Sequence, residues 1–151
     1  MTQADDIGSG GVAIVGAGLV GLGWAIVFAR AGVEARIYDQ DPELMAALPE
    51  RFDQALADLE AHGLLDSPET AKARVRYCNT LECALDGPLY VQESVLERVD
   101  VKRALYEQLD GLIGSQVIVG SSSSGIPSSE FTHGLGIAPR CLVAHPVNPP
   151  Y

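Results

Sequence analysis

GVAIVGAGLVG, Gly11 to Gly21, decides how the rest of the chain is read. Gly11 to Gly16 is a short apolar, β-branched run closed by glycine, the pattern of a parallel strand buried on both faces. Leu19 to Ala31 is apolar nearly all round and is followed by Gly32 as a stop, which predicts a buried helix. Gly16, Gly18 and Gly21 thus form G-x-G-x-x-G at a strand-to-helix junction. There the first glycine permits a tight turn, the second lets the backbone approach a pyrophosphate, and the third lets helix and strand pack closely. The free amides and dipole at the helix start, around Leu19 and Val20, hold phosphate charge.

A second strand, Glu34 to Asp39, ends in an acid eighteen residues beyond Gly21. That is the usual place for a carboxylate that accepts ribose hydroxyls; the plain alternative is a turn residue. Gln40 and Asp41 follow with no lysine or arginine beside them, so a 2′-phosphate would meet carboxylate and no cation. NAD is expected over NADP. FAD enzymes share the fingerprint but are usually larger, and a methyltransferase fits the spacing less well.

Further along, Asp41 and Pro42 have the form of an N-cap and first helical residue. A helix is expected from there to about His62, broken in two if Pro49 interrupts it. A shorter helix is expected over Asp66 to Lys72. Val75 to Cys78, Leu89 to Glu93, Gln116 to Ser121 and Cys141 to His145 read as further strands. Leu96 to Ile113 reads as an amphipathic helix with Val99, Leu105, Leu109 and Leu112 on one face. A short helix or turn lies between the third and fourth strands, and IPSSEF opens another short helix. Alternation of strands and helices predicts an α/β fold, a doubly wound, mostly parallel sheet.

Bulk properties narrow the setting. A chain of 151 residues suits one domain that buries its core without disulfides or metal. Its 47% hydrophobic and 20% charged residues suit a soluble protein, and no apolar run approaches a membrane span. Residues 1–10 lack the features of a signal peptide and are read as a flexible arm before a domain over 11–151. Cys78, Cys83 and Cys141 have no zinc spacing and leave one thiol unpaired, so no metal and a reducing cytoplasm are expected. The net charge of -10 argues against nucleic acid and anionic membranes as partners.

Ligands of open parallel sheets bind beyond the carboxyl ends of the strands. The strands deliver there the glycine loop, Asp39, Glu93 with Ser94, the run Ser121 to Ser124, and His145. Pro146 biases His145 toward extended backbone, and an imidazole so held can act as a base near working pH. A packed structural histidine is the plainer alternative. The serine run is either a polar linker or a set of donors for cofactor or substrate. Ser94 and Glu97 have the form of a capping box, S-x-x-E, and Lys102 could be a solvated helix lysine.

The glycine loop with Asp39, QESVLERVDVKRALYEQLD, VIVGSSSSG and AHPVNPPY together resemble the NAD-binding domain of the L-3-hydroxyacyl-CoA dehydrogenase superfamily, over about Val12 to Tyr151. The last stretch is most similar to its L-gulonate 3-dehydrogenase, or lambda-crystallin, branch. SSSSGIPSSEF is also similar to L-carnitine dehydrogenases. The resemblance implies a Rossmann domain in which His145, of the H-x-x-N-P motif, is the catalytic base and Asn148 contacts the nicotinamide end of the cofactor. It implies that Ser124 touches substrate hydroxyl and nicotinamide, and that Glu97 and Lys102, an E-x-x-x-x-K pair, bind NAD. With Gly16, Gly18, Leu19, Val20, Gly21 and Asp39 these complete the expected site.

In that family a second catalytic carboxylate and a helical, dimer-forming domain follow the histidine. Neither is in this sequence, so a domain or fragment of a longer homodimeric enzyme is expected, inactive by itself. The expected reaction is oxidation of a secondary alcohol at carbon 3 of a small L-3-hydroxy acid such as L-gulonate, with 3-hydroxyacyl-CoA or L-carnitine as alternatives. Asp39 to Thr70 holds nine acidic residues and one base, Arg51, which disfavours anionic coenzyme A. A non-catalytic NAD-binding or structural module is the alternative of another class.

Overall fold

The computed structural model describes residues 10–147 and 150–151. The expected N-terminal arm, apart from Gly10, and the expected contact at Asn148 lie outside the described residues. The chain runs β1 (Val12–Val15), α1 (Leu19–Arg30), β2 (Ala35–Tyr38), α2 (Pro42–Ala61), α3 (Pro68–Lys72), β3 (Val75–Tyr77), α4 (Leu81–Leu85) and β4 (Tyr90–Glu93). It continues with α5 (Val99–Leu112), β5 (Ile118–Ser121), α6 (Ser129–Thr132), a 3-10 turn (Ala138–Arg140) and β6 (Cys141–Val143).

The strands form one sheet in the order β3-β2-β1-β4-β5-β6, and every pairing is parallel. This is the doubly wound architecture expected, with no antiparallel member among the described strands. The order reverses between β1 and β4, the point at which such sheets open a crevice for ligands. Alternate residues of β1 serve two cores, as a period of two requires. Val12 and Ile14 face the layer of α1 and α2, and Ala13 and Val15 face the layer of α5 and α6. None of the four is more than 3% exposed.

α2 is one helix, so the expected break at Pro49 does not occur. Pro49 is on the exposed face, and the bond it cannot donate together with the crowding of its ring against the preceding turn costs about 3 kcal/mol. Leu48, Phe52, Leu56 and Leu59, at most 5% exposed, bury the opposite face at roughly 1.5–3 kcal/mol each and hold the helix together. Asp41 caps it as expected, accepting from the Glu43 amide at 2.8 Å.

Two further boundaries differ from expectation. β6 ends at Val143 rather than His145, because Ala144 makes the last bond to Ser121 and Pro146 has no N–H to continue. α5 starts at Val99 rather than Leu96, and its cap position, Arg98, makes no side-chain cap bond. The capping box of Ser94 and Glu97 therefore does not form; both side chains turn to the sheet edge instead. α5 buries Leu105 and Leu109 as expected, but Val99 and Leu112 are exposed, and Lys102 and Tyr106 take the buried face with them.

Candidate functional site

Strand register sets the site. Val15 is level with Tyr38 and Glu93, Glu93 with Ser121, and Ser121 with Val143. The next residue of each strand forms a row along the carboxyl edge: Asp39, Gly16, Ser94, Ser122 and Ala144. His145 stands one residue beyond that row.

Gly16 has φ +108°, and a Cβ there would lie 2.4 Å from the Ser94 carbonyl oxygen. A Cβ on Gly21 would lie 1.8 Å from the carbonyl oxygen of Gly16, so the third glycine is what lets α1 sit on the loop. Gly18 instead faces open space, with nothing within 4 Å of a Cβ built on it. It is the N-cap of α1 and makes no side-chain cap bond, so the first amides of the helix, at Leu19 and Val20, are without a capping side chain. Leu19 is 65% exposed there.

Asp39 closes the far side of the loop. One carboxylate oxygen accepts from the Ala17 amide at 2.7 Å and the other from the Asp41 amide at 2.9 Å. Arg51, on α2, donates to the Ala17 carbonyl at 3.3 Å. Spacing alone does not reveal that contact, since most of α1, all of β2 and the first half of α2 separate the arginine from the glycine motif. A cavity of about 540 Å³ runs along this edge, lined by Gly16, Gly18, Asp39, Ser94, Leu96 and Val101 among others. The open cradle at Gly18, the uncapped amides and the half-buried carboxylate of Asp39 fit a dinucleotide: pyrophosphate at the loop and a ribose at Asp39.

A charge cluster stands behind the row. Lys102 is 1% exposed and Glu93 is fully buried. The Lys102 ammonium donates to both Glu93 oxygens, at 2.8 and 3.0 Å, and lies 3.3 Å from Glu97. Lys102 is therefore not a solvated helix lysine. Glu93 also accepts from the Ser121 hydroxyl at 2.5 Å and the Val95 amide at 2.9 Å. Glu97 grips the serine loop: one oxygen accepts from the Ser123 hydroxyl at 2.7 Å and from the amides of Ser124 and Gly125 at 2.9 and 3.2 Å. Partial burial pushes the Glu97 carboxyl up, but the Ser123, Gly125 and Ser124 bonds and the Lys102 charge outweigh it and bring it down to about 2.

The structure thus brings Glu97, Lys102 and Ser124 together through the loop, and it adds Glu93 and Ser121, expected at the strand ends, as direct partners in the charge cluster. Ser124 and His145 are both exposed at the same edge. No hydrogen bond among the described residues joins them. The residue before His145 is held firmly, the Ala144 amide donating to the Ser121 carbonyl at 2.7 Å.

The chain is similar to known proteins over most of its length. The chain is 38% identical over 146 residues to lambda-crystallin of Oryctolagus cuniculus, covering 95% of this chain and 46% of that protein. It is 34% identical to an L-carnitine dehydrogenase/betainyl-CoA thioesterase of a Rhizobium species, covering 92% and 28%. Among solved structures, FadB2 of M. tuberculosis superposes with a TM-score of 0.86 at 28% identity, over 93% of this chain and half, 50%, of that one. (S)-3-hydroxybutyryl-CoA dehydrogenase from Ralstonia eutropha does so with a TM-score of 0.85 at 27% identity. The chain spans about half the length of the lambda-crystallins it matches. Residues 11–151 match the 3-hydroxyacyl-CoA dehydrogenase, NAD binding domain, and with the glycine cradle, Asp39 and the strand-edge cavity in place the chain belongs to that family of NAD-dependent dehydrogenases.

Proposed function

We propose that this chain is the cofactor-binding half of an enzyme that oxidises the carbon-3 alcohol of a small L-3-hydroxy acid such as L-gulonate. The observation that carries this reading is the serine loop held by Glu97 at the same sheet edge that delivers His145 and the nucleotide cavity. Gly16, Gly18, Leu19, Val20 and Gly21 hold the pyrophosphate, Asp39 accepts ribose hydroxyls, and Asn148 belongs to the nicotinamide end. Bound NAD supplies the hydride acceptor. His145 takes the proton of the reacting hydroxyl, and Ser124 hydrogen-bonds that oxygen and keeps it aligned. Glu97, kept ionised by its donors, fixes the Ser124 backbone, and Lys102 balances its charge.

Similarity to lambda-crystallin and the acidic stretch of α2 and α3 favour a small hydroxy acid over an anionic acyl-CoA. L-Carnitine dehydrogenation is the second reading, favoured by the likeness to the Rhizobium protein. A homodimer formed through a helical domain, and a cytoplasmic setting, belong to the same proposal. No helix among the described residues is long and apolar enough to cross a membrane.

Calorimetric titration of the chain with NAD and NADP tests the cofactor half. NAD is expected to bind selectively, and Asp39→Ala to weaken it about tenfold or more, as the loss of a charge-assisted bond does. Equal affinity for NADP would refute the specificity argument. The catalytic half is tested by joining the chain to the remaining half of rabbit lambda-crystallin and offering L-gulonate, L-carnitine and 3-hydroxybutyryl-CoA. Turnover of L-gulonate, abolished in His145→Gln, is expected; preference for either other substrate overturns the assignment.

A further inference from the structure

Behind the row of strand ends lies a polar network with one consistent set of protons. Ser122 is its hub: Trp24, on α1, donates its indole N–H to the Ser122 hydroxyl oxygen at 3.0 Å, and Gln92, on β4, donates to the same oxygen at 2.8 Å. The Gln92 nitrogen also reaches the Ala144 carbonyl at 3.3 Å. A carbonyl only accepts, so the amide is oriented with nitrogen toward Ser122 and oxygen toward Tyr90, whose hydroxyl donates to it at 2.6 Å. Burial pushes the Tyr90 phenol up to about 12, so that proton stays in place.

The remaining contact settles the last proton. Ser122 receives two donors, which fills both lone pairs of its oxygen. Its own proton goes to its one other partner, the Ser94 hydroxyl, 2.8 Å away. Ser94 is thereby an acceptor toward Ser122, and its own O–H is directed elsewhere. Among the described residues that hydroxyl has no further partner, and Ser94 lines the 540 Å³ cavity. A chain of donors also polarises the terminal hydroxyl and strengthens it.

We infer that the Ser94 hydroxyl is a cofactor-binding donor, oriented by Ser122, that serves the nicotinamide-riboside half of the dinucleotide. The side of the cavity follows from the sheet order. Asp39 follows β2 and takes the adenosine ribose; the glycine turn follows β1; Ser94 follows β4, across that turn from Asp39. A dinucleotide lying over β2, β1 and β4 places its second half above Ser94. Its oxygen acceptors there, ribose hydroxyl or carboxamide, suit a donor. This inference rests on the NAD reading above.

The test compares NAD with ADP, which has no nicotinamide riboside, on the wild type, Ser94→Ala, Ser122→Ala and the double variant, with thermal melts showing that each is folded. Titration follows the fluorescence of Trp24, the sole tryptophan, or heat where a variant alters that signal. Ser94→Ala is expected to weaken NAD about five- to tenfold and leave ADP within twofold, in keeping with one hydrogen bond. Ser122→Ala is expected to weaken NAD less, and the double variant no more than Ser94→Ala. Unchanged NAD affinity in Ser94→Ala, or equal loss for NAD and ADP, overturns the inference while the NAD reading stands. An effect of Ser122→Ala that persists undiminished beside Ser94→Ala overturns the orienting role. Failure of the folded wild type to bind NAD overturns both readings.

Discussion

Lys102 shows how much a single side chain can hang on partners. Its ammonium is enclosed by Glu93 and Glu97, with the Phe131 ring 5.8 Å from the nitrogen. Removing only the cation would strand the fully buried Glu93 carboxylate, so Lys102→Met should lower stability by about 3 kcal/mol or more in urea unfolding. Replacing Glu93 by Gln in the same chain should restore part of that loss, and no recovery would argue against charge stranding as the cause. Glu97 gives a pH signature. Its folded carboxyl is lowered to about 2, below the ordinary value of 4.5, so the grip on the serine loop is fully present above about 4.5 and is lost as pH falls through about 2. Amide exchange at Ser124 and Gly125 should remain slow down to pH 4 in the wild type. Glu97→Gln should exchange faster at pH 7. The E-x-x-x-x-K spacing was visible beforehand, but not that Lys102 is buried, because its burial depends on β4 and α6 closing over it.

The junction of β1 and α1 was legible in full at the level of the element, since both its strand pattern and its glycines act over a few residues. It makes a sharp prediction. Gly21→Ala places a Cβ 1.8 Å from the Gly16 carbonyl oxygen, backbone against backbone, so α1 must lift from the loop. NAD affinity should fall by at least tenfold, since the amides of the helix start leave the pyrophosphate. Gly18→Ala, which meets nothing in the free chain, should melt like the wild type yet bind NAD more weakly. Equal melting and binding for the two variants would contradict this division. Elements whose ends are decided by distant partners were less legible: α5 starts late because Glu97 is drawn to the serine loop. α2 passes through Pro49 because Phe52 and Leu56 pack on a sheet far away in sequence.

The whole molecule leaves β6 at the edge of its sheet. Leu142 and Val143 on that strand are 45% and 43% exposed, Val147 beyond it 80%, and Ile118 on the adjacent β5 45%. An apolar edge strand invites pairing. The chain alone should therefore self-associate with rising concentration in light scattering, and Leu142→Lys with Val147→Lys should shift it toward monomer. A monomer at high concentration in the unaltered chain would count against that edge as a sticky surface.

What the sequence by itself determined was the alternation of strands and helices, the glycine cradle with Asp39, and the set of polar residues carried to the strand ends. These rest on short-range periodicity, turn geometry and spacing along one strand–helix unit. The tertiary structure alone decided which polar group meets which: Glu93 with Ser121 and Lys102, Glu97 with the loop amides, and Ser122 with Trp24, Gln92 and Ser94. Those partners come from different strands and helices. Their meeting is fixed by register across the parallel sheet and by the cost of burying a charge or hydroxyl without a partner, neither of which a linear pattern records.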